Sequence, residues 1–354
     1  MRLAVIPGDG IGREVVLAVL PVLDLLNDAC GLDVEHDIFG WGADEWLATG
    51  VGLPDGAVDS LAAKYQAILL GALGDPRIPD MAHGRSILLG LRRGLDLYVN
   101  YRPLDLPTGR IDLFRENTQG LYAGVGGTIA RRGSVSVAID ECVYIRETVE
   151  KFVRFGLRRL ADTGRTKVTL VHKSNAVPNT GRLWQEVFET EMAGFPQLAA
   201  GQEYVDSFCY HLVRDPSSYE GVLAPNLFGD IISDIGAALM GGLGLAASAN
   251  ICPETGCALF EPVHGSAPDI AGKGIANPSA AAMSLAMALD HMGYGKQAVH
   301  LRDSVREVAA TEFATPDLGG CGTTEGFMAE VIERLGARFI DDKAGRAGEP
   351  ATTS

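Results

Sequence analysis

Short apolar runs alternate along this chain with longer stretches of helical period. RLAVI, AILLGALG, RIDLF, TKVTLVHK and YEGVLAPNLF have the length and apolar content of strands. REVVLAVLPVLDLLNDA and VYIRETVEKFVRFGLRRLAD instead repeat apolar residues every three to four positions, as one face of a helix does. Strands alternating with helices predict an α/β protein with substantial parallel pairing. SVSVAID alternates with period two and fits a more exposed strand of an arm or small sheet. Residues 280 to 292, rich in Ala, Leu and Met without a breaker, predict a helix. The stretch DDKAGRAGEPATTS, residues 341–354, lacks apolar content and predicts a disordered tail.

At 354 residues the chain exceeds what one hydrophobic core usually serves, so two domains are expected. A net charge of −15 argues against nucleic acid as a partner, because that binding needs a basic footprint. MRLAVIPGDGIG breaks at Pro7, too early for a signal segment, and no apolar window is long enough for a membrane span. Six cysteines without a C-x-x-C pair read as free thiols of a cytoplasmic protein.

Several segments carry chemistry. GDGIG, residues 8 to 12, follows a strand and precedes a helix, where a dinucleotide fingerprint would sit. Arg13 occupies the third glycine position and conflicts with the close packing glycine permits, so a tight turn of another kind is the better reading. Arg92, Arg102 and Arg115 cluster around a strand-like region of an acidic protein. Guanidinium groups grip carboxylates bidentately, which points to a polyanionic small substrate; pairing with the surplus acids is the alternative. Lys173 closes the apolar run TLVHK, where desolvation would suit it to proton transfer, and Tyr122 follows Arg115 by seven residues. In NLFGDIISDIGAAL, Asp230 and Asp234 stand four apart, on one helix face, amid residues suited to a core. Two like charges so placed need a cation, a shared proton or basic neighbours. With Asp206 as a third carboxylate and no His or Cys partner, a hard ion such as Mg²⁺ or Mn²⁺ is expected to separate them. FEPVHGSAPDIAGKGIANPSA, residues 260 to 280, reads as a long functional loop, with Asp269 able to bond a ribose diol.

GDGIG, LR…YRP, REN…Y, VHKSN, NLFGDIISD and EPVHGSAPDIAGKGIANP together resemble the β-decarboxylating dehydrogenases that act on isopropylmalate, isocitrate, homoisocitrate and tartrate. The resemblance implies that family's two-domain α/β fold, with parallel and mixed sheets flanked by helices, rather than a Rossmann fold. One domain would combine residues 1–97 and 241–340; the other, residues 98–240, would hold the substrate and metal residues and the dimer contacts. The resemblance makes Arg92, Arg102 and Arg115 carboxylate-binding residues, and Tyr122 and Lys173 catalytic. Asp206, Asp230 and Asp234 would be metal ligands, with Lys173 and Asp206 crossing to the partner subunit of a homodimer.

His264, Gly265, Ser266, Ala267 and Asn277 would line the adenosine site, and Asn175 is implied as a further cofactor contact. Family members that use NADP carry Lys-Tyr where this chain has Asp269 and Ile270, so NAD is expected. Leu88 and Leu89 match the leucine pair that accepts an isopropyl group, while Ser86 is shared with isocitrate enzymes. The expected reaction is oxidative decarboxylation of a 3-substituted malate, with 3-isopropylmalate or a close analogue foremost. RENTQGLYAG is nearer to isocitrate, homoisocitrate and tartrate enzymes, and Arg85 suits an acidic substituent such as a phosphonate. A non-catalytic regulatory subunit is the remaining alternative, although such subunits lose part of the Tyr, Lys and Asp set retained here.

Overall fold

The computed structural model describes residues 1–131 and 133–347. Its strands, in chain order, are β1 (Arg2–Ile6), β2 (Glu35–Ile38), β3 (Ala67–Leu70), β4 (Val99–Leu106), β5 (Gly109–Glu116) and β6 (Gly120–Arg131). They continue as β7 (Ser134–Val143), β8 (Lys167–His172), β9 (Ala199–Tyr204), β10 (Gly221–Ala224), β11 (Ala247–Ile251) and β12 (Ala258–Pro262). The chain divides into two compact units: Met1–Gly90, Leu243–Ala247 and Ala258–Ser354 form one, Leu91–Gly242 and Ser248–Cys257 the other.

In the first unit the strands run β2-β1-β3-β12, all paired in parallel. β1, β3 and β12 are buried almost end to end, as strands covered on both faces must be, which explains their unbroken apolar sequences. The helix Ser279–His291 packs on β12 and is covered in turn by Gly295–Ala309. The stretch expected to be one helix near the N-terminus is two, Ile11–Val19 and Pro21–Cys30, divided where Pro21 cannot donate to the preceding turn.

The second unit has the order β11-β4-β5-β10-β8-β9. The β4–β5 and β11–β4 pairs are antiparallel, and the pairs from β5 through β9 are parallel. Neighbouring residues on each central strand face opposite cores. Phe114, Leu170 and Leu223 join Phe152, Trp184 and Phe188 on one side. Leu113, Val171 and Val222 join Phe208, Leu212 and Ile232 on the other. Burying a side chain of this size is worth about 1.5–3 kcal/mol, so the two clusters hold the strand ends rigidly.

Three observations bear on the expected boundaries. Ser248–Cys257 groups with the second unit, because Ala249, Asn250 and Ile251 pair with Tyr101, Asn100 and Val99. The last helix runs Thr324–Ala347, past residue 341 where a disordered tail was expected; residues 348–354 of that tail lie outside the described residues. SVSVAID lies in β7, which pairs only with β6 in a two-stranded antiparallel ribbon whose Val125, Ile129, Val135, Val137 and Ile139 are exposed.

Candidate active site

The carboxyl ends of parallel strands collect ligand-binding residues in open α/β sheets, because the following loops and helix starts converge there. Here β5 ends with Arg115 and Glu116, β8 is followed at once by Lys173, and β10 leads through Pro225 into the helix Asn226–Met240. Gly229 lets that helix approach β5: a Cβ there would lie 2.7 Å from the Arg115 side chain. Asp230, Ser233 and Asp234 are thereby carried past the two strands that bear Arg102 and Arg115.

Asp230 is the hub. Arg115 Nη1 donates to its Oδ1, Arg102 Nη2 lies 3.4 Å from the same oxygen, and Tyr122 Oη donates to Oδ2 at 2.9 Å. Burial pushes the Asp230 pKa up, but Arg115, Arg102 and the Tyr122 hydrogen bond outweigh it and leave the carboxyl below its ordinary range. Asp234 shifts the other way: burial and the neighbouring Asp230 charge raise its pKa. Its carboxylate makes no hydrogen bond or ion pair among the described residues. Guanidinium groups therefore compensate Asp230, a role the sequence assigned to a divalent ion, and Asp234 is the carboxylate left needing a cation. Burial and Asp230 also raise the pKa of Tyr122, so its phenol keeps its proton through the neutral range.

Lys173 and Asp206 form a separate pair. Lys173 Nζ donates to Asp206 Oδ1 and sits 5.6 Å from the centre of the Tyr204 ring. The hydrogen bond from Lys173 holds the Asp206 pKa below its ordinary value. Asp206 does not join Asp230 and Asp234: among the described residues, no three His, Cys, Asp or Glu side chains converge as metal ligands. Arg92 is buried and its charge is felt at both Asp230 and Tyr122, while Arg93 Nη2 donates to the Tyr122 carbonyl at 2.7 Å.

In the first unit, the loop after β12 places His264 with Nδ1 2.9 Å from the Gly265 carbonyl. Donation from Nδ1 leaves Nε2 as an acceptor; it is buried with no hydrogen-bond partner, and burial lowers the pKa of the ring. A buried acceptor of this kind fits an amino group such as adenine presents. Asp269 is exposed and makes no hydrogen bond among the described residues. The Asn277 amide donates to Asp317 at 2.9 Å and its oxygen accepts from Ser279 N, so this side chain also anchors the start of the Ser279–His291 helix. Asn175 stands in the second unit, on the exposed turn after Lys173.

GDGIG is a tight turn serving this loop. Gly10 has φ +52°, and a Cβ on it would come 2.2 Å from the Ser266 carbonyl oxygen, while Ile11 N donates to that oxygen at 2.9 Å. Arg13 is exposed, and Gly12 makes the close approach instead, with its Cβ position 2.5 Å from Ala72 N. Ser86, Leu88 and Leu89 lie on a π-helical turn, Arg85–Leu89, where Ile87 alone is fully buried. Such turns recur at functional sites because they re-aim side chains locally.

Sequence reasoning missed Asn100, Asn226, Ser233 and Gln119, all hydrogen-bonded within the arginine network. The only signal was the position of Asn226 inside NLFGD, which read as the start of a helix.

A family model described as isocitrate/isopropylmalate dehydrogenase matches residues 2–333. The 3-isopropylmalate dehydrogenase of Thermobifida fusca (strain YX) is 43% identical over 321 residues, covering 87% of this chain and 90% of that protein. That of Frankia casuarinae is 40% identical over 350 residues, covering 96% and 99%. An isocitrate dehydrogenase structure from Methylococcus capsulatus superposes with TM-score 0.85 at 36% identity, over 94% of this chain and 99% of that one. A β-decarboxylating dehydrogenase from Thermococcus kodakarensis gives TM-score 0.80, also at 36% identity, over 97% and 98%. With the arginines, tyrosine, lysine and aspartates of the sequence motifs all present, the chain belongs to the isocitrate/isopropylmalate dehydrogenase family.

Proposed function

We propose that the protein catalyses NAD-dependent oxidative decarboxylation of a 3-substituted malate, with 3-isopropylmalate as the substrate, in a homodimer with shared active sites. The observation that carries this reading is the buried group of Arg102, Arg115, Tyr122 and Asp230, where two guanidinium groups and a protonated phenol meet one carboxylate. The relatives named above as 3-isopropylmalate dehydrogenases support the choice of substrate.

Asp230 and Asp234 fit a divalent ion because two oxygen donors share one face and the second lacks a partner. Asp206 of the partner subunit would complete the set, consistent with its distance from them in chain organisation and its pairing with Lys173. Mg²⁺ or Mn²⁺, when bound, supplies Lewis-acid polarisation of the oxygen that becomes the carbonyl. NAD supplies the hydride acceptor, and the unpartnered His264 Nε2 with Asp269 and Ile270 fits its adenosine end.

The side chains then divide the remaining work. Arg92, Arg102 and Arg115 bind and orient the substrate carboxylates. Lys173 of the partner subunit takes the proton of the 2-hydroxyl as the carbon is oxidised. Loss of CO₂ leaves an enolate, and Tyr122, its proton retained by burial and by Asp230, donates that proton to carbon. The half-exposed Leu88 and Leu89 offer an apolar surface for the isopropyl group. The exposed apolar ribbon β6–β7 supplies the kind of surface that a second copy would cover.

The test is NADH formation at 340 nm with Mg²⁺, offering 3-isopropylmalate, isocitrate, homoisocitrate, D-malate, tartrate and a 3-phosphonomethylmalate in parallel. A clear preference for isopropylmalate is expected. Preference for an acidic substituent would move the assignment to Arg85 and Ser86, and silence on all six would refute the substrate class.

A further inference from the structure

Behind each of the two arginines that meet Asp230 stands a fully buried asparagine. Arg115 Nε and Nη2 both donate to Asn226 Oδ1, at 3.0 and 2.8 Å. Arg102 Nε donates to Asn100 Oδ1 at 2.6 Å. The amide nitrogens are held as firmly. Asn226 Nδ2 donates to the Gln119 carbonyl at 3.0 Å, and its backbone N–H contacts Tyr144 Oη at 3.0 Å. Asn100 Nδ2 donates to Asn250 Oδ1 at 3.0 Å and to the Ala249 carbonyl at 3.3 Å, and Asn250 Oδ1 also accepts from Asn117 at 2.8 Å.

Carboxylates orient most buried arginines, because they satisfy two N–H groups and the charge together. At these two positions the acceptor is an uncharged amide oxygen instead. An amide fixes the plane of a guanidinium without cancelling its charge, so the positive field stays available on the opposite edge. That edge is where Arg115 Nη1 and Arg102 Nη2 reach Asp230.

We propose that Asn226 and Asn100 are positioning residues: neutral clamps that aim Arg115 and Arg102 at a substrate carboxylate while leaving their charge unspent. The inference rests on the reading of these arginines as carboxylate binders. It extends the site to two side chains that reach the substrate only through the arginines, and it assigns a reason for asparagine, rather than aspartate, at both.

The test is a double-mutant cycle on the full-length protein with Mg²⁺, reading the Kd of 3-isopropylmalate and of NAD by calorimetry. Asn226→Ala weakens isopropylmalate binding about tenfold and leaves NAD within about twofold. In an Arg115→Ala background, Asn226→Ala adds no further loss. Unchanged affinity for isopropylmalate, or losses that multiply in the double variant, would overturn the clamp. Should Asn226→Ala fail to fold, Asn100→Ser with Arg102→Ala gives an independent cycle with the same expectations. Absence of isopropylmalate binding by the unsubstituted protein would count against the substrate instead. The clamp is then read without substrate, from solvent exchange of the Arg115 Nε–H by nuclear magnetic resonance: Asn226→Ser accelerates it about tenfold if Asn226 holds that proton, and unchanged exchange would refute it.

Discussion

Tyr122 Oη donates to Asp230 Oδ2 at 2.9 Å, and the Arg115 guanidinium lies 5.2 Å from the centre of the same phenol ring. The carboxylate holds the phenolic proton in place, and together with burial it raises the pKa of that proton above its ordinary value. The result is a proton donor that stays charged with its proton at neutral pH. Tyr122→Phe keeps the ring against Arg115 and removes the proton. The expected outcome is a fall in kcat of about 10²–10⁴ with substrate Kd changed less than about threefold, measured by NADH formation and calorimetry. A parallel loss of affinity would mean that the hydroxyl binds substrate rather than protonating it.

Asp234 sets the acid side of metal binding. Its pKa is raised by burial and by Asp230, so it takes up a proton at higher pH than an ordinary aspartate. A protonated carboxyl is a poor ligand for Mg²⁺, so the apparent metal affinity falls as pH drops toward that raised pKa. Asp234→Asn abolishes this pH dependence and weakens Mg²⁺ binding about tenfold or more at pH 7. Titration of Mg²⁺ from pH 5 to pH 8, with and without the substitution, checks both statements.

Cofactor choice follows from charge at two positions. A carboxylate at Asp269 repels a 2′-phosphate and accepts a bond from a free ribose hydroxyl. Asp269→Lys combined with Ile270→Tyr is expected to shift the ratio of kcat/KM values toward NADP by at least about tenfold. The ratio for the two cofactors at saturating substrate is the measurement.

The GDGIG turn is held by Asp9, which is nearly buried. Asp9 Oδ1 accepts from Ala43 N at 2.7 Å, Oδ2 accepts from Gly74 N at 2.8 Å, and His83 Nε2 lies 2.9 Å from Oδ2. Asp9→Ala leaves two backbone donors and an imidazole buried without an acceptor, which costs about 2–4 kcal/mol of stability. A shift in the midpoint of urea unfolding at unchanged slope would register it.

The strands that packing makes continuous and apolar could be read from the chain: RLAVI is β1, and the runs containing β3, β5, β8 and β10 were each marked. β9 could not, because AAGQEY is an edge strand with most of its residues at the surface and no apolar period. β6 was hidden by glycines in a ribbon that packs on no core within its chain. The site divides in the same way. Arginine, lysine, tyrosine and paired aspartates announce themselves because such groups rarely fall among apolar residues without a purpose. Asn226 and Asn100 do not, since asparagine is an ordinary residue at turns and helix starts. Their meaning lies in partners up to 150 positions away, such as Asn250 for Asn100.

Within one chain, Asp230 is engaged by Arg115, Arg102 and Tyr122, while Lys173 is engaged by Asp206. The account therefore requires that each complete site take Lys173 and Asp206 from a second copy. The most direct test mixes two inactive variants, Lys173→Ala and Asp234→Asn, after dissociation and reassociation, and measures NADH formation from 3-isopropylmalate. A mixed dimer would hold one site with both substitutions and one with neither, so activity should return to about one quarter of the unsubstituted level. Activity that stays at the level of the separate variants, in a preparation shown to contain mixed dimers, would contradict a site shared between chains.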